Sequence, residues 1–205
     1  SHDLKAPVRS IKLLAEMLSE RMQELNFSDT ELTRITTRML NRADHMDALV
    51  AGLLDFARLG KHELSYTRVP MRRLAEEVGR ELIEHHPDRN IHFAVNDHVP
   101  DAWGDALLIR QALQNLIGNA IKYTSKKESA RIEVGGESVD EFNWYTVTDN
   151  GAGFDEAYAD KLFETFHRMH SEKDFDGIGI GLSLTKQIIN RHHGKIDAKI
   201  GRAHV

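Results

Sequence analysis

The chain contains no cysteine. Disulfides, thiolate nucleophiles and cysteine-ligated zinc are therefore excluded, and a reducing compartment is compatible with the sequence. Basic residues are not in excess: 27 Lys and Arg stand against 32 Asp and Glu, a formal net charge of −5 without any basic block. That balance argues against nucleic acid or an anionic membrane surface as the main partner. A signal peptide and a long apolar run are both lacking, so no direct membrane contact is expected of these residues. Twelve histidines invite a metal reading. However, His85-His86 and His192-His193 are adjacent pairs without the i, i+4 zinc spacing, and most of the twelve read as surface residues. No internal repeat or low-complexity linker occurs. What is present is 40% hydrophobic content over 205 residues, enough for a real core in a soluble, folded protein.

Two periodicities divide the chain. Leu4, Val8, Ile11, Ala15, Leu18, Met22 and Leu25 alternate by four and three, the seam of a helix packed in a bundle. Ser28 with Glu31 reads as a capping box for a second helix ending near Gly60. Its seam continues through Leu32, Ile35, Met39, Met46, Leu49, Leu53 and Phe56, interrupted by Arg42. A lone hairpin with one apolar seam leaves its far side uncovered, so a dimeric four-helix bundle is expected. After Gly60 the pattern changes to a strand at Ser65–Val69, a helix from Pro70 and a strand at Ile91–Val95. A helix from about Asp105 comes next. Two strands, Ala130–Val134 and Phe142–Thr148, are expected to be joined through a turn containing Gly135-Gly136. A helix from about Leu182 to His192 and a strand at Lys195–Ile200 close the chain. The fold expected is α+β: an antiparallel hairpin over 1–62, then a two-layer sandwich of helices on mostly antiparallel strands over 63–205. The seam is in full register at Leu4 and the last pattern stops at Val205, as in a piece of a longer protein truncated in its last strand.

Three stretches carry candidate chemistry. In Asn115–Tyr123, Leu113, Leu116, Ile117, Ala120 and Ile121 form an apolar stripe, while Asn115, Asn119 and Lys122 share another face at i, i+4 and i+7. Amide oxygens are hard neutral ligands for Mg²⁺, and a Lys one turn on could meet the phosphates such an ion carries. Taken alone, the stretch reads as readily as a solvated face. Next, Asp149-Asn150-Gly151-Ala152-Gly153 follows a strand, placing a carboxylate at the strand end beside glycines that let backbone approach a ligand. It could accept from an exocyclic amine such as that of adenine, or form an Asx turn. Finally, Gly177, Gly179 and Gly181 lead into a helix beginning at Leu182, whose free N–H groups favour phosphate. This is neither a dinucleotide fingerprint, because Leu182 occupies the third glycine position, nor a Walker loop.

In the order NLIGNAIKY, DNGAGF, KLFETFHRMH and GIGIGL, these stretches resemble the catalytic domain of sensor histidine kinases. SHDLKAP at the start resembles their phospho-acceptor box, and MHSEKDFDGIGIGL is similar to phytochrome-related kinases. The resemblance implies a Bergerat-type ATP site. Asn119 would bind Mg²⁺, Asn115 would support the ion or phosphates, Lys122 would contact phosphate and Tyr123 would line the pocket. Asp149 would hold the adenine amine, with Gly151 and Gly153 making room for the base. Residues from about Asp155 to Asp176 would form an ATP lid, anchored by Phe163 and Phe166, with Arg168 reaching phosphate. Core packing for the two Phe residues and a solvated surface for Arg168 compete with those roles.

His2 lies two positions from Leu4 and so points about 200° from the seam, outward from the bundle. It is the expected phospho-acceptor, with Asp3 fixing its tautomer or accepting its proton. The implied activity is autophosphorylation of His2 from ATP and transfer to an aspartate in the receiver domain of a response regulator. The chain would act as a homodimer in the cytoplasm, under an upstream sensor domain outside it. The same nucleotide fold resembles gyrase-type and heat-shock chaperone ATPases, and a dimeric scaffold with a switching ATP site is a further alternative. In those ATPases a Glu that activates water commonly occupies the place of Asn115, and an amide cannot serve as that base.

Overall fold

The computed structural model describes residues 2–25, 29–59, 63–155, 161–164, 175 and 179–199; the side chains of 2–7, 45, 48 and 55–58 lie outside that description. The chain separates into two compact units, Ser1–Lys61 and His62–Val205.

The first unit is a hairpin of α1 (His2–Glu24) and α2 (Thr30–Leu59). It runs antiparallel, because Lys12 pairs with Asp44 at 2.7 Å and Met22 lies against Thr36. Small or short side chains meet where the helices approach: Val8, Ala15, Thr36 and Ala43 are all buried. The cap of α2 is Asp29, whose Oδ1 accepts from the Leu32 N–H at 2.9 Å. Such a cap is typically worth about 1 kcal/mol. The capping box expected from Ser28 and Glu31 lies in part outside the described residues, as Ser28 does; Glu31 takes Arg34 at 2.6 Å. Seam residues Ile11, Leu18, Leu32, Ile35, Met39, Met46 and Leu53 stay exposed. Val8, Ile11, Ile35, Met39, Ala43 and Met46 line an apolar groove flanked by Arg38 and Arg42. The heptad pattern therefore marks a face that the hairpin does not cover by itself.

The second unit is a mixed α+β sandwich. β1 (Tyr66–Val69) and β3 (Ala102–Asp105) pair antiparallel, Tyr66 opposite Asp105. β2 (Ile91–Val95) runs parallel to β4 (Ala130–Val139), and β4 runs antiparallel to β5 (Phe142–Asp149) with Ile132 opposite Asp149. Helices α3 (Met71–Glu84), α4 (Ala106–Tyr123) and α5 (Gly181–Arg191) complete it. Ala75, Val78, Leu113, Ile117, Ile121, Ile132 and Val134 form the core between helices and sheet.

Two expectations fail in this unit. Gly135 and Gly136 do not turn the chain. β4 runs straight through them to Val139, and the turn falls at Asp140 (φ 55°) and Glu141. Crowding explains the glycines: a Cβ on Gly135 would lie 2.9 Å from Thr146 Oγ1, and one on Gly136 3.1 Å from Pro100 and Val99. The short strand β3 adds to the expected strands, and the pairing is mostly antiparallel as expected, with β2–β4 the parallel pair. The strand expected at Lys195–Ile200 is absent over 195–199, while Ile200 lies outside the described residues.

His192 departs from the surface reading as well. Its Nδ1 lies 2.8 Å from the Ile188 carbonyl, and its Nε2 accepts from the Asp105 N–H at 3.0 Å. Asp105, itself buried, caps α4 by accepting from the Leu107 and Leu108 N–H groups, and it also takes the Ser65 N–H. One junction thus ties β1, the start of α4 and the end of α5 together. At the other end of α4, Arg89 donates to the Ile121 carbonyl at 2.7 Å and to Thr124 Oγ1, a cation placed where the helix dipole favours one. Among the described residues no helix is long and apolar enough to cross a membrane.

Candidate functional site

Helix α4 turns Leu113, Ile117, Ala120 and Ile121 into the core, and the remaining arc carries Asn115, Asn119 and Lys122. All three are half-buried rather than freely solvated. Gly118 lies on the same arc, and a Cβ there would meet nothing within 4 Å. A glycine inside a helix costs roughly 0.5–1 kcal/mol relative to Ala, so this open space is kept against propensity.

Two hydrogen bonds bring the other stretches to this arc. Asn115 Nδ2 donates to the Gly181 carbonyl at 3.3 Å, joining positions 66 residues apart at the start of α5. The Tyr123 carbonyl accepts from the Ala152 N–H at 3.1 Å, joining the end of α4 to the loop after β5. In that loop the Gly151 N–H donates to Asp149 Oδ1 at 2.8 Å. A Cβ on Gly151 would fall 2.6 Å from that oxygen and 2.8 Å from the Tyr123 carbonyl, so no side chain fits. Gly153 has φ 64°, which also favours glycine. Asp149 is open to solvent along one side, but enough protein surrounds its carboxylate to raise its pKa above the ordinary value, with the Gly151 N–H opposing the shift. Its Oδ1 accepts that N–H, and the second oxygen could accept from a ligand.

Helix α5 begins with Ile180 at its N-cap and, among the described residues, no side-chain cap, an end whose first N–H groups could receive an anion. Gly179 sits just before it with φ 75°. Leu182 is half-buried, and Gly181 is not crowded: its nearest neighbour to a Cβ is Asn115 Oδ1 at 3.6 Å. The ring of Tyr123 is flanked by the Lys122 ammonium at 4.3 Å and meets Phe175 edge-on at 5.2 Å. Phe163 is half-buried, with Lys186 5.8 Å from its ring. Phe166, Arg168 and Gly177 lie outside the described residues. His2 and Asp3 belong to the first unit, helical in backbone, with side chains outside the description.

Two contributors were missed by sequence reasoning. Phe175 is buried against Tyr123, with Lys126 4.8 Å above its ring. An isolated aromatic in a charged stretch ahead of glycines was its only signal. Asn150 accepts from the Arg131 N–H at 2.9 Å and donates to the Ser129 carbonyl at 3.1 Å, fastening the loop to the start of β4. A lone Asn in a glycine turn gives no hint of that partner.

Among the described residues no group of three His, Cys, Asp or Glu could hold a metal ion. A single hard amide oxygen on Asn119, with Lys122 beyond it, suits Mg²⁺ that brings its remaining ligands as phosphate oxygens and water. The arrangement brings a carboxylate, an amide oxygen, a lysine and a helix N-terminus to α4, a set that could hold a nucleotide and its cation.

Residues 1–62 match the family model of the His Kinase A (phospho-acceptor) domain, and residues 104–203 match that of the histidine kinase-, DNA gyrase B- and HSP90-like ATPases. Cyanobacterial phytochrome B of Nostoc sp. is 30% identical over 198 residues, covering 96% of this chain and 26% of that protein. The solved structure of full-length ShkA in complex with AMPPNP matches with TM-score 0.62 at 26% identity, over 92% of this chain and 39% of that one. Histidine kinase ThkA in complex with response regulator protein TrrA matches in fold, with TM-score 0.66 at 23% identity, over 96% of this chain and 56% of that one. The chain spans about a quarter of the length of the curated phytochromes it matches.

Proposed function

Because the chain belongs to the sensor histidine kinases, with its phospho-acceptor segment preceding its ATPase segment, we propose that it phosphorylates His2 from ATP and passes the phosphoryl group to an aspartate of a response regulator. The observation that carries this reading is the convergence of three separate stretches on α4 through Asn115–Gly181 and Tyr123–Ala152. In this reading the free oxygen of Asp149 accepts from the adenine amine, and Gly151 and Gly153 admit the base beside Tyr123. Asn119 and Lys122 face the phosphates, with the first turn of α5. Gly177, Arg168 and Phe163 keep their proposed places in the lid and glycine loop. Asn119 would hold Mg²⁺, which would supply charge neutralisation at the phosphates. A ring nitrogen of His2 forms a bond to the γ-phosphorus as the bond to the β,γ-bridging oxygen breaks, ADP leaves, and Asp3 orients the ring or takes its proton.

The related ATPase reading fits less well. Hydrolysis requires a base to activate water, and Asn115 cannot accept that proton; its amide is moreover engaged with Gly181. Incubating the purified chain with γ-labelled ATP should yield a protein-bound label that acid removes and base does not, the signature of phosphohistidine. Absence of label, or an acid-stable one, would sink the kinase reading.

The uncovered face of the hairpin supports a homodimer. Each large apolar side chain taken out of water there contributes about 1.5–3 kcal/mol, and Ile11, Ile35, Met39 and Met46 line a single groove. Sedimentation is expected to give a dimer for the full chain and a monomer for residues 63–205. Equally strong dimerisation of 63–205 would move the interface out of the hairpin.

A further inference from the structure

The carbonyl of Gly181 receives side-chain donors from two different helices. Asn115 Nδ2 reaches it from α4 at 3.3 Å, and Thr185 Oγ1, one turn along α5 and fully buried, donates at 2.9 Å. Since a carbonyl can only accept, the amide nitrogen of Asn115 must be the atom facing it, which fixes the orientation of the amide. The other polar atom, Oδ1, lies 3.6 Å from where a Gly181 Cβ would stand. The donor end of the Asn115 amide is therefore engaged with α5. Four residues further along α4, Asn119 shares its face but is placed about 6 Å away by the helical rise.

We propose that Asn115 is a positioning residue for the phosphate end of the site: through its amide nitrogen it holds the N-terminus of α5 at a fixed offset from Asn119. This rests on the nucleotide reading above and revises the part given to Asn115. Among the described residues the first turn of α5 has no side-chain cap, so its N–H groups can serve a phosphate only where that turn is placed. Thr185, sharing the same carbonyl from inside α5, stiffens the anchor. Misplacing a binding group by about 1 Å is enough to weaken a preorganised site strongly.

The test uses the full chain, ADP titrations with Mg²⁺ and with chelator, and hydrogen exchange. Asn115→Leu removes both donor and oxygen without adding charge. It should weaken ADP about ten-fold with and without Mg²⁺, the size one lost hydrogen bond carries, and speed exchange of the amides at the start of α5 while leaving those of α3 unchanged. Thr185 is buried beyond reach of ligand, so a smaller metal-independent loss in Thr185→Val, restored in Thr185→Ser, would support the anchor. A loss in Asn115→Leu confined to the Mg²⁺-containing titration would overturn the proposal and return Asn115 to the ion. If the parent chain binds no ADP, the nucleotide reading itself fails. The exchange arm then still decides the anchor, unchanged exchange at the start of α5 overturning it.

Discussion

A chain carrying His2→Gln is expected to take up no phosphate from labelled ATP while binding ADP as tightly as the parent chain. The nucleophile in this chemistry is a ring nitrogen whose lone pair is free, whereas the amide nitrogen of Gln is delocalised into its carbonyl and cannot attack phosphorus. Gln keeps the polarity and roughly the length of His at a position two residues from Leu4, so α1 should be undisturbed. Asn119→Ala is its counterpart. It leaves the acceptor intact, removes the amide oxygen from α4, and should lose both Mg²⁺-dependent nucleotide binding and label. Mixing the two variants then separates two geometries. If the ATP site of one protomer serves the His2 of the other, mixed dimers regain label on the Asn119→Ala chain; if each protomer serves itself, the mixture stays dark. Label persisting in His2→Gln alone would mean that another of the twelve histidines is the acceptor, and the assignment of His2 would fall.

What could be read from the sequence follows the range of the interactions responsible. Helix α4 was legible because its apolar stripe is a local 3.6-residue pattern, and Asp105 at its head is a short-range cap visible in the chain itself. The hairpin was legible for the same reason, and Asp29 caps its second helix. Long-range contacts wrote no such pattern. Gly135-Gly136 looks like a turn along the chain, but its smallness answers Thr146 on β5 and Pro100 across the fold. β3 is four residues long, and its pairing with β1 depends on residues about forty positions away. His192 looked like half of a surface pair, and only the fold places it under the Asp105 N–H. The same division holds in the site. Asn115, Asp149 and the glycines announced themselves by residue type and spacing, while Phe175 and Asn150 act through partners that no local pattern names.

Asp149→Asn is expected to lower ADP affinity roughly a hundred-fold without harming the fold, and the reason lies in one hydrogen bond. The Gly151 N–H claims Oδ1 of the carboxylate at 2.8 Å, which leaves the second oxygen for an adenine amine. In the Asn variant the single amide oxygen satisfies Gly151, and the NH₂ group turns towards the base, donor against donor. Losing a hydrogen bond to a charged acceptor and leaving a donor unpaired together cost about 3 kcal/mol, or roughly a hundred-fold in affinity. Stability should move the other way. Burial raises the Asp149 pKa, so the folded state disfavours the charged form. For an acid whose folded pKa lies above its unfolded value, the stabilising contribution is full below the unfolded value, about 3.9, and is lost as pH rises through the folded one. At neutral pH the ligand-free parent therefore carries the cost of a partly desolvated carboxylate, and the Asn variant does not. The variant should melt at or above the parent temperature at pH 7 and gain less than the parent on acidification towards the carboxylate range. The reversed donor also predicts a reversed preference, because a purine with a carbonyl at position 6 now finds a partner: inosine diphosphate should bind the variant better than ADP does. ADP affinity within a few-fold of the parent, or no preference for the 6-oxo purine, would remove Asp149 from the base-recognition site.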